Sequence, residues 1–180
     1  MKQNKEVLSV IGSLALRVGL CLVGLCLSQS VFAAIEVTCL WGDCQTFGWN
    51  LRHESSLAQG QVRCMYEDCQ TFGWHEFSFD GQVFKNYCEP GGCWVEGWSA
   101  TDRKGRRVAK AMCHAGDEGQ TDCLTYGWTV YRRRAIAAHV TCIENDCRRQ
   151  GWKISAPYGP PQYALCKRDG CFVQGWYLYD

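Results

Sequence analysis

The chain has 180 residues, enough for one domain or two small ones. Its 19 basic and 18 acidic side chains give a net charge of +1, which does not support general nucleic-acid binding, because that function leaves a basic footprint. Its 14 cysteines indicate a disulfide scaffold, which persists in an oxidising compartment.

Residues 1–33 are predicted to be a signal peptide. Two lysines occur in the first five residues, residues 18–27 are apolar, and small residues suit cleavage after Ala33. The apolar stretch is shorter than the roughly 20 residues of a transmembrane helix, so no membrane span is expected after cleavage. The mature chain, 34–180, is therefore expected to be secreted or periplasmic, and it keeps 16 basic side chains, 17 acidic side chains and 12 cysteines.

A repeat fills the mature chain. The pattern C-x4-C-x3-G-W occurs five times, and a sixth copy carries five extra residues between its cysteines. Successive copies are separated by 13 or 14 residues, so the spacers are as regular as the pattern itself. Copies one and two share CQTFGW, whereas copies three and six read CWVEGW and CFVQGW, which suggests an older three-unit block duplicated as 34–110 and 111–180.

We predict that the first cysteine bonds to the second within every repeat. The residues between them are rich in turn formers, and the two residues that close a short hairpin loop lie close enough for a disulfide. The predicted pairs are Cys39 with Cys44, Cys64 with Cys69, Cys88 with Cys93, Cys113 with Cys123, Cys142 with Cys147 and Cys166 with Cys171. Pairing between repeats is the alternative, which the spacing does not exclude.

A strand is predicted to follow the second cysteine directly. Alternation then places the Trp at position +5, and the aromatic residue that three copies carry at +3, on the face opposite the cysteine. The six repeat tryptophans are predicted to form the core between neighbouring units: Trp49, Trp74, Trp98, Trp128, Trp152 and Trp176. Gly at +4 is interpreted as a bulge or close approach that makes room for a neighbouring ring or disulfide.

Each spacer is predicted to contain a second turn. The Asp-Gly pair at 80–81 is the clearest turn signal, and Gly60, Gly105 and Gly159 are weaker ones. The spacer 129–141 has neither Gly nor Pro and suits a short helix. The predicted fold is all-β, with six disulfide-stapled hairpin units in an antiparallel meander, and an open array and a closed one are left as alternatives.

No catalytic residue, cofactor or metal site is predicted, and the protein is expected not to be an enzyme. The four histidines, at 53, 75, 114 and 139, are scattered and are interpreted as solvated surface residues. The loop 114–122 offers oxygen ligands for calcium, although a solvated acidic turn is the preferred interpretation. Export disfavours thiolate metal sites, and the C-x-x-C pattern of redox catalysts is absent.

Three aromatic residues, Trp41, Tyr66 and Trp94, lie in or beside the cysteine loops and are candidates for ligand contact. The cysteine loops are rich in acidic residues, whereas basic runs occur at 103–107 and 132–134. If all cysteine loops lie at one end of the strands, the body is dipolar and suited to stack head to tail or to dock on an acidic surface. Ordinary solvated charge is the alternative interpretation.

The ending GWYLYD and the Gly-Trp hairpins about 25 residues apart resemble the aromatic hairpin repeats of bacterial choline- and glucan-binding cell-wall modules. Those repeats are shorter and lack paired cysteines. The first function predicted is an exported non-enzymatic interaction or structural protein that presents loops to a protein or envelope partner or assembles with itself. A carbohydrate- or cell-wall-binding module, which the resemblance implies, is the alternative. A secreted inhibitor or enzyme with an unrecognised site is the third.

Overall fold

The structure is a computed structural model that describes residues 35–54 and 59–179. The predicted signal peptide, 1–33, lies outside the described residues. The described chain is all-β, as predicted, and six disulfides of this kind are compatible with an extracellular or periplasmic compartment. No helix within these two stretches has the length and apolar character needed to cross a membrane.

Twelve strands and one four-residue helix follow one another along the chain. They are β1 (Ile35–Cys39), β2 (Gly48–His53), β3 (Gln59–Cys64), β4 (Trp74–Phe77), β5 (Val83–Cys88), β6 (Gly97–Thr101), β7 (Arg107–Cys113), α1 (Cys123–Tyr126), β8 (Trp128–Arg132), β9 (Ala135–Cys142), β10 (Gly151–Ser155), β11 (Gln162–Cys166) and β12 (Trp176–Tyr179). Strand β7 crosses the boundary predicted between the duplicated halves 34–110 and 111–180, and both halves belong to one sheet. The duplication of an older three-unit block remains a prediction.

The strands form a closed antiparallel barrel. Each strand pairs with the next along the chain, and β12 pairs with β1 through registers such as Val37 opposite Trp176. The closed array is therefore the correct alternative. Because successive strands alternate in direction, all six cysteine loops lie at one end of the barrel, here called the cap end, and the spacer turns lie at the other, the turn end.

Every repeat contributes one hairpin whose two strands flank the cysteine loop. The first cysteine bonds to the second, as predicted, and the Cα atoms of these pairs lie 4.4 to 4.7 Å apart. The first cysteine also lies opposite the repeat tryptophan in the sheet, for example Cys39 opposite Trp49. The disulfide therefore joins the end of one strand to the loop and not to the partner strand.

The prediction that a strand starts at the second cysteine is wrong. The chain after Cys44 forms a helical turn, in which the Gly48 N–H donates to the Cys44 carbonyl at 3.1 Å. Asp43 causes this turn, because its Oδ1 accepts hydrogen bonds from the N–H groups of Gln45 at 2.9 Å and Thr46 at 3.0 Å. The strand begins only at the glycine.

The repeat glycine approaches a neighbouring strand, as predicted, but its neighbour is a backbone carbonyl and not a ring or a disulfide. Gly48 has φ +96°, and a Cβ built on it would lie 2.2 Å from the Val62 carbonyl oxygen. The other five repeat glycines show the same approach to the next strand: Gly73, Gly97, Gly127, Gly151 and Gly175. No other residue type fits this position.

The predictions for the turn end are partly correct. Tight turns occur at 80–81 and around Gly105, and Gly159 lies in the loop between β10 and β11. Gly60, however, lies within β3, where a Cβ would approach the Phe77 carbonyl oxygen at 3.1 Å, so it is not a turn residue.

The short helix suggested for 129–141 is also wrong. Strands β8 and β9 remain paired to Arg132 opposite Ala135, leaving a two-residue hairpin turn. The turn residues, Arg133 and Arg134, have φ +47° and +69°, so arginines occupy left-handed positions that usually take Gly or Asn.

The six repeat tryptophans form a closed ring inside the cap end. Centroids of neighbouring rings lie between 5.1 and 6.2 Å apart around the whole circle, which Trp176 and Trp49 close at 5.5 Å. Beneath this ring a layer of small and branched side chains fills the barrel, including Val37, Val62 and Val140 at 2 to 3% exposure. The tryptophans thus occupy the core that the sequence predicts for them.

Candidate binding site at the cap end

Three of the six cysteine loops share one tight turn. In repeats one, two and five the four residues between the cysteines form a type I′ β-turn, closed for example by the Asp43 N–H donating to the Leu40 carbonyl at 3.0 Å. The first central residue of each turn is left-handed: Trp41 at φ +46°, Tyr66 at +52° and Glu144 at +51°. This turn places its first central side chain at the apex of the loop.

Two of these apex side chains are large exposed aromatics. Trp41 and Tyr66 are each 84% exposed. Each leans edge-on against the aromatic residue three positions after the second cysteine, Trp41 on Phe47 at 4.9 Å and Tyr66 on Phe72 at 5.2 Å between ring centroids. We call these four residues and the cleft between their loops the cap aromatic site. The supporting rings fix the direction of the exposed ones.

The fold does not require aromatic residues at these positions. Repeat five has the same turn with Glu144 at the apex, and position +3 there is Gln150. Repeats three and six carry Glu96 and Gln174 at that position. Since the same barrel accepts polar residues in equivalent loops, packing does not explain the exposed aromatic pairs of repeats one and two.

A polar cleft separates the two aromatic loops. It is lined by Gln45, Thr46, Glu67, Asp68, Gln70 and Thr71. The Gln70 Nε2 donates to the Gln45 Oε1 at 2.8 Å, whereas the buried Nε2 of Gln45 has no acceptor among the described residues. Carboxylates, amides and hydroxyls therefore line the cleft.

The aspartates beside the cleft stay ionised over a wide pH range. Burial alone would raise the pKa of Asp43, but hydrogen bonds from the Thr46 hydroxyl and from the Thr46 and Gln45 N–H groups outweigh it and lower that pKa. Asp68 repeats this arrangement: burial alone would raise its pKa, but hydrogen bonds from Thr71 and Gln70 outweigh that effect and lower the pKa. Both carboxylates are committed to holding the loop, a role that acidic composition alone does not reveal.

Trp94 is placed apart from the other two predicted ligand contacts. Its ring is half-buried and packs against Trp74 at 6.0 Å, Trp98 at 5.8 Å and Phe172 at 5.6 Å. Its Nε1 is buried without an acceptor among the described residues. Trp94 thus closes the cap end of the barrel from within, whereas Trp41 and Tyr66 project from it.

Sequence reasoning missed the role of Phe47 and Phe72. It assigned them to an apolar strand face beside the repeat tryptophans, yet both precede their strands, and Phe72 is 46% exposed. The signal that could have identified them is their distribution, because an aromatic loop residue and an aromatic residue at +3 occur together in repeats one and two.

Two histidines interpreted as scattered surface residues meet on the barrel wall. His114 Nε2 lies 2.8 Å, and His139 Nδ1 2.9 Å, from the hydroxyl of Thr129. The hydroxyl belongs to a residue only 5% exposed, so it links the two rings and is closed to a substrate. This link spans β8, β9 and the loop after β7, which no local pattern predicts.

The acidic loop 114–122 is partly structural. Asp122 caps α1, since its Oδ1 accepts from the Leu124 N–H and its Oδ2 from the Thr125 hydroxyl, both at 2.8 Å. Within residues 35–54 and 59–179, no three His, Cys, Asp or Glu side chains are grouped so that they could hold a metal ion.

Comparisons with known proteins return no match. A scan against protein families, a search of curated proteins and a search of solved structures find nothing significantly similar to this chain. Its disulfide-rich, tryptophan-rich all-β architecture itself suggests a structural or binding role.

Proposed function

We propose that this protein is an exported, non-enzymatic binding protein that holds a carbohydrate at the cap aromatic site. The observation that carries the proposal is the pair formed by Trp41 and Tyr66, equally exposed at equivalent left-handed positions of adjacent loops. A bulky residue in the left-handed region costs free energy, and such strain clusters at functional sites.

The spacing of the two rings suits a chain of sugars. Equivalent positions in adjacent repeats are two strands apart, which is about 10 Å across the sheet. Two flat apolar surfaces at that separation can each stack on a sugar ring, and the amides of the cleft and the Glu67 carboxylate can bond the hydroxyl groups between them. Because disulfides and the closed barrel hold both loops, little conformational entropy is lost on binding.

A protein partner is the competing occupant of this surface. Exposed Trp and Tyr side chains also dominate protein interfaces, but they do so at the centre of a wider apolar patch. Here polar side chains line the space between the aromatic loops. This polarity favours a ligand rich in hydroxyl groups.

Calorimetric titration with soluble glucans and peptidoglycan fragments tests the proposal. We expect saturable binding that the double substitution Trp41→Ala and Tyr66→Ala weakens at least ten-fold, since each ring contributes about 1 kcal/mol. The matched control is Glu144→Ala, the same loop position in repeat five, which should bind as the parent does. Absence of binding to every glycan, or equal weakening by the control, would show that the site does not hold carbohydrate.

A further inference from the structure

The turn end carries a concentrated positive charge. One turn, 102–106, joins β6 to β7, and the next, 133–134, joins β8 to β9, while β7 and β8 are paired neighbours. These turns and the first residue of β7 contribute six exposed basic side chains: Arg103, Lys104, Arg106, Arg107, Arg133 and Arg134. We call this group the basic rim. The whole chain has a net charge of only +1, so this positive charge is concentrated at one end of the barrel.

Few anions neutralise the basic rim. Arg106 forms an ion pair with Asp102 at 2.6 Å, and Arg103 donates to the Gly81 carbonyl at 2.9 Å. Among the described residues no other carboxylate lies within ion-pair distance of the rim. The surface charges are thus available to an external anion and need no internal partner.

Two rim arginines are held at a conformational cost. Arg133 and Arg134 occupy both left-handed positions of a two-residue hairpin turn, where Asn-Gly is the favoured pair. The retained strain lies in an exposed turn with no packing role. Like Trp41 at the opposite end, these residues are present in spite of the turn geometry.

Exposed apolar and aromatic side chains adjoin the charge. Ile136, two residues after the arginine turn, is 44% exposed, and Tyr158 in the neighbouring loop between β10 and β11 is 91% exposed. The charge and these exposed apolar and aromatic side chains therefore share one end of the barrel.

We propose that the turn end docks on an anionic lipid surface. Lys and Arg side chains are drawn to anionic headgroups, and Tyr side chains favour the membrane–water interface. An anionic polysaccharide would use the same charges but would gain nothing from the exposed aliphatic side chain of Ile136. Docking at this end directs the cap aromatic site away from the membrane, so the barrel would display its ligand-binding loops at the surface. This inference does not depend on which ligand the cap end binds.

Vesicle co-sedimentation of the disulfide-bonded protein tests this inference. We expect binding to vesicles that contain phosphatidylglycerol, weaker binding to pure phosphatidylcholine vesicles, and loss of the difference as salt rises from about 0.1 M to about 1 M. The neutral vesicles measure any binding that does not depend on lipid charge.

The decisive variant is Arg133→Asn with Arg134→Gly. It removes two charges and installs the favoured turn pair, so the hairpin should fold at least as well while affinity for anionic vesicles falls about 25-fold, at about five-fold for each basic side chain. The matched control, Arg148→Gln with Arg149→Gln, removes the same charge at the cap end and should change affinity less than two-fold. Equal binding to both vesicle types, an unaffected Asn-Gly variant, or binding to heparin without vesicle binding would overturn the proposal.

Discussion

The two ends of the barrel differ in regularity. At the cap end the same backbone hydrogen bond links each repeat to the preceding one. In all six repeats the N–H of the second cysteine donates to the carbonyl of the residue that follows the second cysteine of the preceding repeat. Cys69, for example, donates to Gln45 at 2.8 Å, and Cys44 closes the circle by donating to Phe172 at 2.9 Å. At the turn end the connections differ in length, from two residues at 133–134 to six at 156–161. The cap end is thus fixed by backbone bonds and disulfides, and in repeats one, two and five the apex side chain varies while the turn stays the same.

The same contrast separates two kinds of tryptophan. The repeat tryptophans recur in all six units and are held in the barrel, whereas Trp41 occurs in one unit and is almost fully exposed. Features shared by all repeats therefore support the fold, and features confined to one or two repeats are where function is expected. The following substitutions test this division.

The largest effect is expected from Trp152→Ala. Trp152 is 8% exposed and contacts two other rings of the tryptophan ring, so its removal should lower the free energy of unfolding by about 3–5 kcal/mol. Trp41→Ala, the same chemical change at an 84% exposed position, should alter it by less than about 0.5 kcal/mol. Urea denaturation with the disulfides intact measures both. Equal losses would remove the distinction between the two classes of tryptophan.

A somewhat smaller loss is expected from Gly175→Ala. Gly175 has φ +97°, and an added Cβ would lie 2.1 Å from the Val37 carbonyl oxygen at the seam where β12 meets β1. Strain and separation of the strands should together cost about 3 kcal/mol. The control is Gly81→Ala, at φ +76° with nothing near the added methyl group, which should cost only about 1 kcal/mol. A similar cost at both sites would mean that close approach is not the reason for the repeat glycine.

The parts of the fold that the sequence predicts are those fixed by local spacing. Cys39 and Cys44 are five positions apart, and the bonded pair follows from that short distance along the chain. The tryptophan core follows from its period. Closure does not, because it depends on contact between Ile35 and Leu178, which are far apart in sequence.

Local patterns fail where a side chain or a rare conformation replaces the usual signal. The strand after Cys44 begins only at Gly48, because Asp43 caps a helical turn between them. The composition of the cysteine loop predicted a turn but not this capped helical turn. The turn at 133–134 escaped prediction because arginine adopts the conformation of glycine there. In the candidate site, Trp41 and Tyr66 were identified from their loop positions, but the inward packing of Trp94 depends on tertiary contacts with Phe172.

A gain in stability is expected from relieving the left-handed apex residues. Trp41→Asn creates the Asn-Gly pair favoured in a type I′ turn and should raise the free energy of unfolding by about 1 kcal/mol. Glu144→Asn should give a similar gain in repeat five. Only the first should lose ligand binding, so calorimetry and thermal unfolding on the two variants separate strain from function. A Trp41→Asn protein that is no more stable than the parent would argue against strain at this position.

The smallest effects are expected from two carboxyl groups in opposite environments. Glu76 lies on the barrel-facing side of β4, where burial raises its pKa in spite of the Asn86 amide and the positive charge of Arg132. A raised pKa means that the folded protein disfavours the charged form, so Glu76 costs stability at neutral pH, and this cost disappears as pH falls below its pKa. Asp43 has a lowered pKa, because hydrogen bonds from Thr46 and Gln45 outweigh the effect of burial, so it stabilises the fold above its unfolded-state pKa and loses this contribution as pH falls.

The amide substitutions at these two positions should therefore differ in sign. Glu76→Gln should raise the unfolding temperature at pH 7 and Asp43→Asn should lower it slightly. Both differences from the parent should shrink as pH falls, that of Glu76→Gln at higher pH, because the pKa of Glu76 is raised and that of Asp43 is lowered. Thermal unfolding at several pH values measures this. Differences that stay constant with pH would mean that shape and not ionisation separates the variants. Asp43 belongs to a cap loop and Glu76 to the barrel interior. Opposite changes in unfolding temperature would therefore show that the charged carboxylate stabilises the loop and destabilises the core.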